Sequence, residues 1–263
     1  MLGTWGMRFA TGCLLGGLTW LAVPMPSAQA ASPATNDPTG TLTVSAAASL
    51  SDVFPKIAEA FSKRYPGTKV NFNFGGSSTL VNQVIAGAPV DVLATASEPT
   101  MWKAVTAAVA SRPLIFAKNT MTIAMPADNP ARIRSLTDLS RSGVLVGVCE
   151  VNVPCGAAAS DLLKRNGLTV TPVTRELDVR TLLAKVVSGD LDAGIVYATD
   201  VRSVGAQVSS VTIPASANVT TTYPISVVLD TPNRALAEAF VNYVRFTTSA
   251  QGLLRAYGFG RPW

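Results

Sequence analysis

Strand-like and helix-like segments alternate through most of the sequence after residue 40, and this alternation constrains the fold most. The first example is an apolar stretch over residues 42–46, followed by apolar residues at helical spacings of three and four over 53–61. Further strand patterns lie over 121–125 and 193–197. The same order of strand and helix returns near the C-terminus, with a strand pattern over 225–229 before a helix pattern over 234–246. Such alternation is typical of α/β proteins, so we expect an α/β fold with mainly parallel strands.

The first 30 residues have the features of an export signal. Arg8 supplies a positive start, an apolar stretch runs over residues 13–23, and Ala28 and Ala30 give a small-residue cleavage pattern. The stretch is shorter than the roughly 20 residues that span a bilayer. We therefore expect a signal peptide over 1–30, a flexible leader over 31–40, and an exported protein. Cys13 leaves a lipid-anchored form open, although a lipidated cysteine should follow the apolar stretch.

Cysteine usage agrees with export. Removal of the signal would leave Cys149 and Cys155, an even pair six residues apart in an oxidising compartment. We expect these two residues to form a disulfide. The alternative is a metal site, but two cysteines in a chain without histidine make a poor zinc site.

Composition argues against two classes of function. The formal net charge is only +5 and the sequence has no run of lysine or arginine, so nucleic-acid binding has no electrostatic footprint. The absence of histidine removes the usual general base for a serine or cysteine nucleophile. A secreted serine hydrolase would need a lysine dyad, but neither Ser-x-x-Lys at Ser49 or Ser77 nor Gly-x-Ser-x-Gly occurs.

Several junctions between a strand and the following helix carry small or hydroxyl residues. They lie at residues 46–50, 75–79, 153–156 and 178–180. Free backbone N–H groups at a helix N-terminus, together with the helix dipole, favour bound anions. Open α/β sheets bind their ligands beyond the carboxyl ends of the strands, which is where these junctions fall. Each junction alone is an ordinary cap or turn: we expect the Ser-Ser-Thr run at 77–79 to cap the helix that follows it, and Asp178 and Arg180 to make surface or cap contacts. The hypothesis of an anion site depends on the junctions occurring together.

The order of these segments resembles the molybdate-binding proteins of ABC importers. The matching segments, in chain order, are VSAAASL at 44–50, GSSTL at 76–80, AGAPVDV at 86–92, VPCG at 153–156, DVR at 178–180, GIVY at 194–197 and YGF at 257–259. They cover nearly all of residues 41–260. Residue 155 departs from many members of that family, in which alanine is common, and glycine at 75–76 replaces serine or alanine of other members.

The resemblance implies a type II periplasmic-binding-protein fold. This fold has two α/β lobes joined by two crossover segments, with the ligand cleft between them. One lobe would comprise residues 41–117 and 226–263, and the other would comprise residues 118–225. A regulator's ligand-sensing domain can share this fold, but the export signal and the lack of a DNA-binding segment argue against that function.

The resemblance also implies the ligand contacts and the function. Molybdate or tungstate would be held as the oxyanion, without a direct metal ligand or any cofactor, and delivered by a monomer to an ABC permease. The main alternative is the same fold binding sulfate, phosphate or another oxyanion. Contacts would come from hydroxyl and amide groups of two serines, two further backbone amides and one phenol: Ser49, Ser77, Cys155, Val179 and Tyr197.

Overall fold

A computed structural model describes Gly6 and residues 37–263 of the chain. The signal peptide predicted over residues 1–30 lies outside the described residues except for Gly6, and so does the predicted leader up to residue 36. Within the described part, no helix is both long enough and apolar enough to cross a membrane.

Nine strands and eight α-helices alternate along residues 40–256. The strands are β1 (Gly40–Ala47), β2 (Thr68–Gly75), β3 (Val92–Ala94), β4 (Leu114–Pro126), β5 (Val146–Cys149), β6 (Thr174–Glu176), β7 (Ala193–Tyr197), β8 (Val208–Thr212) and β9 (Thr220–Val227). The helices are α1 (Val53–Arg64), α2 (Ser77–Ile85), α3 (Glu98–Thr106), α4 (Pro154–Arg165), α5 (Val179–Val187), α6 (Ala198–Val204), α7 (Arg234–Phe246) and α8 (Thr248–Ala256). Short 3-10 turns add Ala48–Leu50, Leu136–Ser140 and Gly205–Gln207.

The strands pair in the order β2-β1-β3-β9-β4-β7-β5-β6, and β8 pairs with β4 at the side. Parallel pairs join β1 to β2 and β3, and β5 to β6 and β7. The pairs that involve β4 or β9 are antiparallel. The expectation of mainly parallel strands is therefore wrong, because two long strands that run between the parallel groups reverse the direction of pairing.

The two long strands connect the two halves of this sheet. Residues 114–120 of β4 pair with β9, whereas residues 121–126 of the same strand pair with β7 and β8. One strand group is therefore β2, β1 and β3, and the other is β7, β5, β6 and β8, with β9 and β4 between them. The carboxyl ends of β1, β2, β5 and β6 lead into the junctions that the sequence singled out.

Apolar faces of the helices pack on both strand groups. An aromatic cluster joins Phe54 of α1, Phe116 of β4 and Phe240 of α7, with ring centroids 5.6 Å and 6.3 Å from that of Phe54. All three side chains are completely buried. Each such burial contributes roughly 1.5–3 kcal/mol to folding, so this cluster anchors α1 and therefore the turn that precedes it.

Candidate functional site

All five predicted ligand residues line one small cavity between the two strand groups. The volume of the cavity is about 20 Å³, little more than the roughly 10–15 Å³ that one water molecule needs. A larger groove of about 730 Å³ runs beside Cys149 and is lined by none of the five. The small cavity therefore suits a ligand of a few atoms and excludes peptides and sugars. Its lining residues are Ala47, Ala48, Ser49, Gly75, Gly76, Ser77, Ala96, Val153, Pro154, Cys155, Leu177, Asp178, Val179 and Tyr197.

Three helices begin at the wall of this cavity. Helix α2 begins at Ser77, α4 at Pro154 and α5 at Val179. The first N–H groups of an α-helix have no carbonyl partner within the helix, so the amides of Ser77, Cys155 and Val179 are available to a ligand. Three helix dipoles with their positive ends at one point favour an anion there.

The side-chain oxygen atoms of the two serines each form a hydrogen bond with another group of the protein. The Ala96 amide donates to Ser77 Oγ at 3.1 Å, and Ser49 Oγ lies 2.9 Å from the hydroxyl of Tyr223. Both serines are buried. Because Ser77 Oγ accepts from an amide, its own proton is free to be donated into the cavity. The predicted Ser-Ser-Thr cap is wrong in detail, since Gly76 is the N-cap and Ser77 is the first helical residue.

Tyr197 ends β7 and presents a buried phenol. Its hydroxyl has no hydrogen-bond partner among the described residues. Burial raises the pKa of Tyr197 well above the ordinary phenol value, and the nearby Tyr223 and Asp200 raise it further. The phenol is therefore protonated at neutral pH and is a donor without a partner, which is costly to bury unless a ligand accepts its proton.

A disulfide joins Cys149 and Cys155, as predicted. It links the end of β5 to the second residue of α4, so it closes the loop that carries the Cys155 amide. The next residue, Gly156, approaches this loop so closely that a Cβ atom would overlap the carbonyl oxygen of Glu150. The loop conformation is thus fixed by a covalent bond on one side and by a glycine-dependent contact on the other.

Asp178 caps helix α5 and leaves the Val179 amide free. One carboxylate oxygen of Asp178 accepts from the Arg180 and Thr181 amides at 2.8 and 2.9 Å, and the other accepts from the Thr181 hydroxyl. The cap interaction expected for Asp178 is confirmed. Since its carboxylate is occupied by these donors, it does not oppose an anion as strongly as a free carboxylate would.

Contacts between the two strand groups surround the cavity. Ser78 Oγ donates to the carbonyl of Asn152 at 2.7 Å. Gly76 approaches the carbonyl oxygen of Leu177 so closely that a Cβ atom could not be placed there. These contacts bring the α2 N-terminus against the loops before α4 and α5, which makes the cavity small.

Arg180 forms a third connection between the groups. Its guanidinium pairs with Asp52, at the start of α1, and with Asp200 of α6, where the Nε–Oδ1 distance is 3.3 Å. Asp200 is completely buried and accepts from the Tyr197 amide at 3.0 Å. Burial raises the pKa of Asp200 and the Arg180 cation lowers it, and the result is a pKa of about 7.

Four residues near the site were not predicted as functional: Asn119, Arg180, Asp200 and Tyr223. Of these, Arg180 was expected to make only surface or cap contacts. They lie far apart in the sequence, and no local motif marks Asn119 or Tyr223. For Asp200 the signal was a carboxylate three residues after Tyr197, at the N3 position of helix α6, where it can accept from the N-cap amide.

The chemistry of the cavity is that of a neutral anion receptor. Hydroxyl and amide donors face it, and its one carboxylate, from Asp178, is already hydrogen-bonded. No group of three or more metal-binding side chains occurs within residues 37–263. The arrangement suits a small anion that accepts several hydrogen bonds.

Comparison with known proteins assigns the family. The model of the family described as bacterial extracellular solute-binding protein matches residues 42–260. The chain belongs to this family. The molybdate-binding protein ModA of Mycobacterium tuberculosis is 42% identical over 224 residues, which cover 84% of this chain and 85% of that protein.

Solved structures show the same fold. The periplasmic molybdate-binding protein of Azotobacter vinelandii matches with a TM-score of 0.75 and 20% identity, covering 84% of this chain and all of that one. The sulfate-binding protein SubI of Mycobacterium tuberculosis matches with a TM-score of 0.73 and 23% identity, covering 83% and 86%. The predicted type II periplasmic-binding-protein fold is confirmed. Because both oxyanion classes occur on it, the fold alone does not identify the ligand.

Proposed function

We propose that this chain captures molybdate or tungstate outside the cytoplasm and delivers the oxyanion to an ABC permease. The observation that carries the proposal is the small cavity, where three helix N-termini and three hydroxyl groups meet. The 42% identical relative from Mycobacterium tuberculosis is named as a molybdate-binding protein. The family description, bacterial extracellular solute-binding protein, supports the location.

In this proposal the ligand contacts are those expected from the sequence. Ser49 and Ser77 each contribute a hydroxyl and an amide, Cys155 and Val179 contribute amides, and Tyr197 contributes its phenol. All are donors, so the site favours an oxyanion that carries no proton. Inorganic phosphate is protonated at neutral pH, and its O–H proton would face these donors without an acceptor, which costs free energy. The mechanism is reversible binding, with no covalent chemistry.

The two strand groups would act as the two lobes of a binding cleft. The proposed lobes are residues 41–117 with 226–263, and residues 118–225. The contacts of Gly76 with Leu177, of Ser78 with Asn152 and of Asp52 with Arg180 would then form on closure around the ligand. Closure would create the surface that a permease recognises, and a monomer suffices for this cycle.

Sulfate is the competing ligand, because it is also an unprotonated tetrahedral dianion. Discrimination would depend on the radius of the cavity, since metal–oxygen bonds in molybdate and tungstate are longer than sulfur–oxygen bonds. A smaller anion would leave some donors out of reach, and each unsatisfied buried donor costs about 1–3 kcal/mol. The identity to a molybdate-binding protein favours the larger anions.

Thermal unfolding in the presence of four oxyanions tests the proposal. A ligand at 1,000 times its Kd stabilises the folded protein by about 4 kcal/mol, which raises Tm by roughly 8–16 °C for a chain of this size. We expect this increase with molybdate and tungstate, and little change with sulfate or phosphate. An increase with sulfate alone would overturn the named ligand. No increase with any anion, for protein that elemental analysis shows to be free of molybdenum and tungsten, would overturn the function.

A further inference from the structure

Behind the cavity lies a chain of buried hydrogen bonds that ends on Ser49. The Asn119 amide nitrogen donates to Thr199 Oγ1 at 2.8 Å and to the Tyr223 hydroxyl at 3.3 Å. The Tyr223 hydroxyl in turn lies 2.9 Å from Ser49 Oγ. All four side chains are buried, so the partners of each polar atom are set by the protein.

The orientation of the Asn119 side chain sets the donor at one end of this chain. Its Oδ1 atom accepts from the Thr120 amide at 3.0 Å, which fixes the orientation of the side-chain amide. The nitrogen therefore faces Tyr223, and an amide nitrogen can only donate. The Tyr223 oxygen accepts from Asn119, and either hydroxyl of the Tyr223–Ser49 pair can be the donor of the next hydrogen bond; in the arrangement that presents the Ser49 proton to a ligand, Tyr223 donates its proton to Ser49 Oγ. Ser49 Oγ then accepts from Tyr223, and the hydroxyl proton of Ser49 is directed to the cavity.

The ring of Tyr223 also supports the second phenol of the site. It packs edge-on against the ring of Tyr197, with centroids 5.9 Å apart, and against Phe259 at 5.4 Å. Burial raises the pKa of Tyr223, so it stays protonated and remains a donor at neutral pH. Tyr223 lies on β9 and Asn119 on β4, the two strands that connect the strand groups.

We propose that Tyr223 and Asn119 are positioning residues that fix Ser49 as a hydrogen-bond donor to the bound oxyanion. This inference rests on the proposed function and adds two residues that do not contact the ligand themselves. Ser77 offers an internal comparison, because a backbone amide from Ala96 fixes its oxygen in the same sense. Both ligand serines are thus held as donors to the cavity. The Ala96 backbone amide holds Ser77, and the Tyr223 hydroxyl, itself held by Asn119, holds Ser49.

Titration calorimetry with molybdate on Tyr223→Phe tests the inference. The variant keeps the ring and its packing but removes the donor to Ser49, so we expect Kd to increase by about tenfold. Tyr243→Phe is the matched control, because it removes a largely buried hydroxyl that bonds to Ser249 Oγ away from the cavity. We expect this control to bind molybdate with unchanged Kd.

A double-mutant cycle separates positioning from general loss of packing. If Tyr223 acts through Ser49, Tyr223→Phe weakens molybdate binding in the wild-type protein. In a protein that already carries Ser49→Ala, the same substitution should cause little further loss of affinity. Asn119→Ala, which leaves both tyrosine rings in place, is a second variant in case the first does not fold, and it should also weaken binding.

The outcomes separate the inference from the function. Wild-type affinity in a folded Tyr223→Phe variant, or equal losses in both backgrounds, would overturn the inference and leave the function intact. Failure of wild type itself to bind any oxyanion would overturn both.

Discussion

Asp200 offers a test of the electrostatics next to the site, because it is buried beside a single cation. Burial raises the pKa of its carboxyl from 3.8 to about 7, in spite of the Arg180 guanidinium. In the unfolded chain the carboxyl ionises near pH 4. Between these values the folded protein holds a proton that the unfolded chain has released, so the contribution of Asp200 to stability falls as the pH rises from about 4 to about 7.

The magnitude follows from the difference between the two pKa values. A shift of one unit corresponds to 1.36 kcal/mol, so the full loss is about 4 kcal/mol, of which roughly 2–3 kcal/mol falls between pH 5 and pH 8. The variant Asp200→Asn cannot ionise, and its amide oxygen can still accept from the Tyr197 amide. We therefore expect the stability of Asp200→Asn relative to wild type to increase by roughly 2–3 kcal/mol over this pH range.

Urea unfolding of both proteins at pH 5, 6, 7 and 8 measures this difference. An Asp161→Asn variant, which removes an exposed carboxylate from α4, corrects for the general effect of losing one negative charge. A difference between Asp200→Asn and wild type that stays constant with pH would refute the reasoning, and so would one that decreases as the pH rises.

Three further predictions concern the cavity and its loop. Ser77→Ala removes one hydroxyl donor and should weaken molybdate binding by about 1–3 kcal/mol in calorimetry; unchanged affinity would contradict the assignment of Ser77. Gly76→Ala places a Cβ against the Leu177 carbonyl, so we expect at least about a tenfold loss of affinity with little change in the Tm of the ligand-free protein. Gly252→Ala in α8, where the added Cβ would meet only the end of the Arg255 side chain at 3.9 Å, should leave binding unchanged. Replacing Cys149 and Cys155 together by serine should lower the free energy of unfolding by about 2 kcal/mol, since the closed loop is short. The protein without its signal should show no free thiol before reduction and two after it.

The sequence predicted best those elements whose apolar pattern is strong. Helix α7 begins at Arg234 and ends at Phe246, and β7 runs from Ala193 to Tyr197, both as predicted. Helix α3 was missed even though Ser97 caps it, because it has a weak apolar stripe and Trp102 is largely exposed. Strand β8 was missed because two adjacent serines, Ser209 and Ser210, interrupt the apolar alternation in a segment of only five residues.

The long strand β4 shows why topology was harder to predict than elements. Only residues 121–125 were recognised, because Lys118, Asn119 and Thr120 interrupt the apolar pattern. In the fold those polar residues lie where the strand passes from one strand group to the other. Their role depends on β9, about 100 residues later in the chain, and no local pattern reports such a pairing.

For the candidate site, the family resemblance pointed to five residues that line the cavity. The structure added the hydrogen-bond partners of these residues. Five hydroxyl and amide positions could be read from short motifs at the ends of strands. The partners of those groups could not, since Tyr223 is 174 residues from Ser49 and Arg180 is 128 residues from Asp52. Hydrogen bonds over such separations follow from the packing of the whole chain.

A crystal structure of the protein with molybdate, with anomalous diffraction at the molybdenum absorption edge, tests the central claim most directly. The account predicts one molybdenum peak in the cavity. Its oxygen atoms should lie within hydrogen-bond distance of the Ser49, Ser77 and Tyr197 hydroxyls and of the Cys155 and Val179 amides. A peak elsewhere, or a cavity that remains empty at saturating molybdate, would contradict the account.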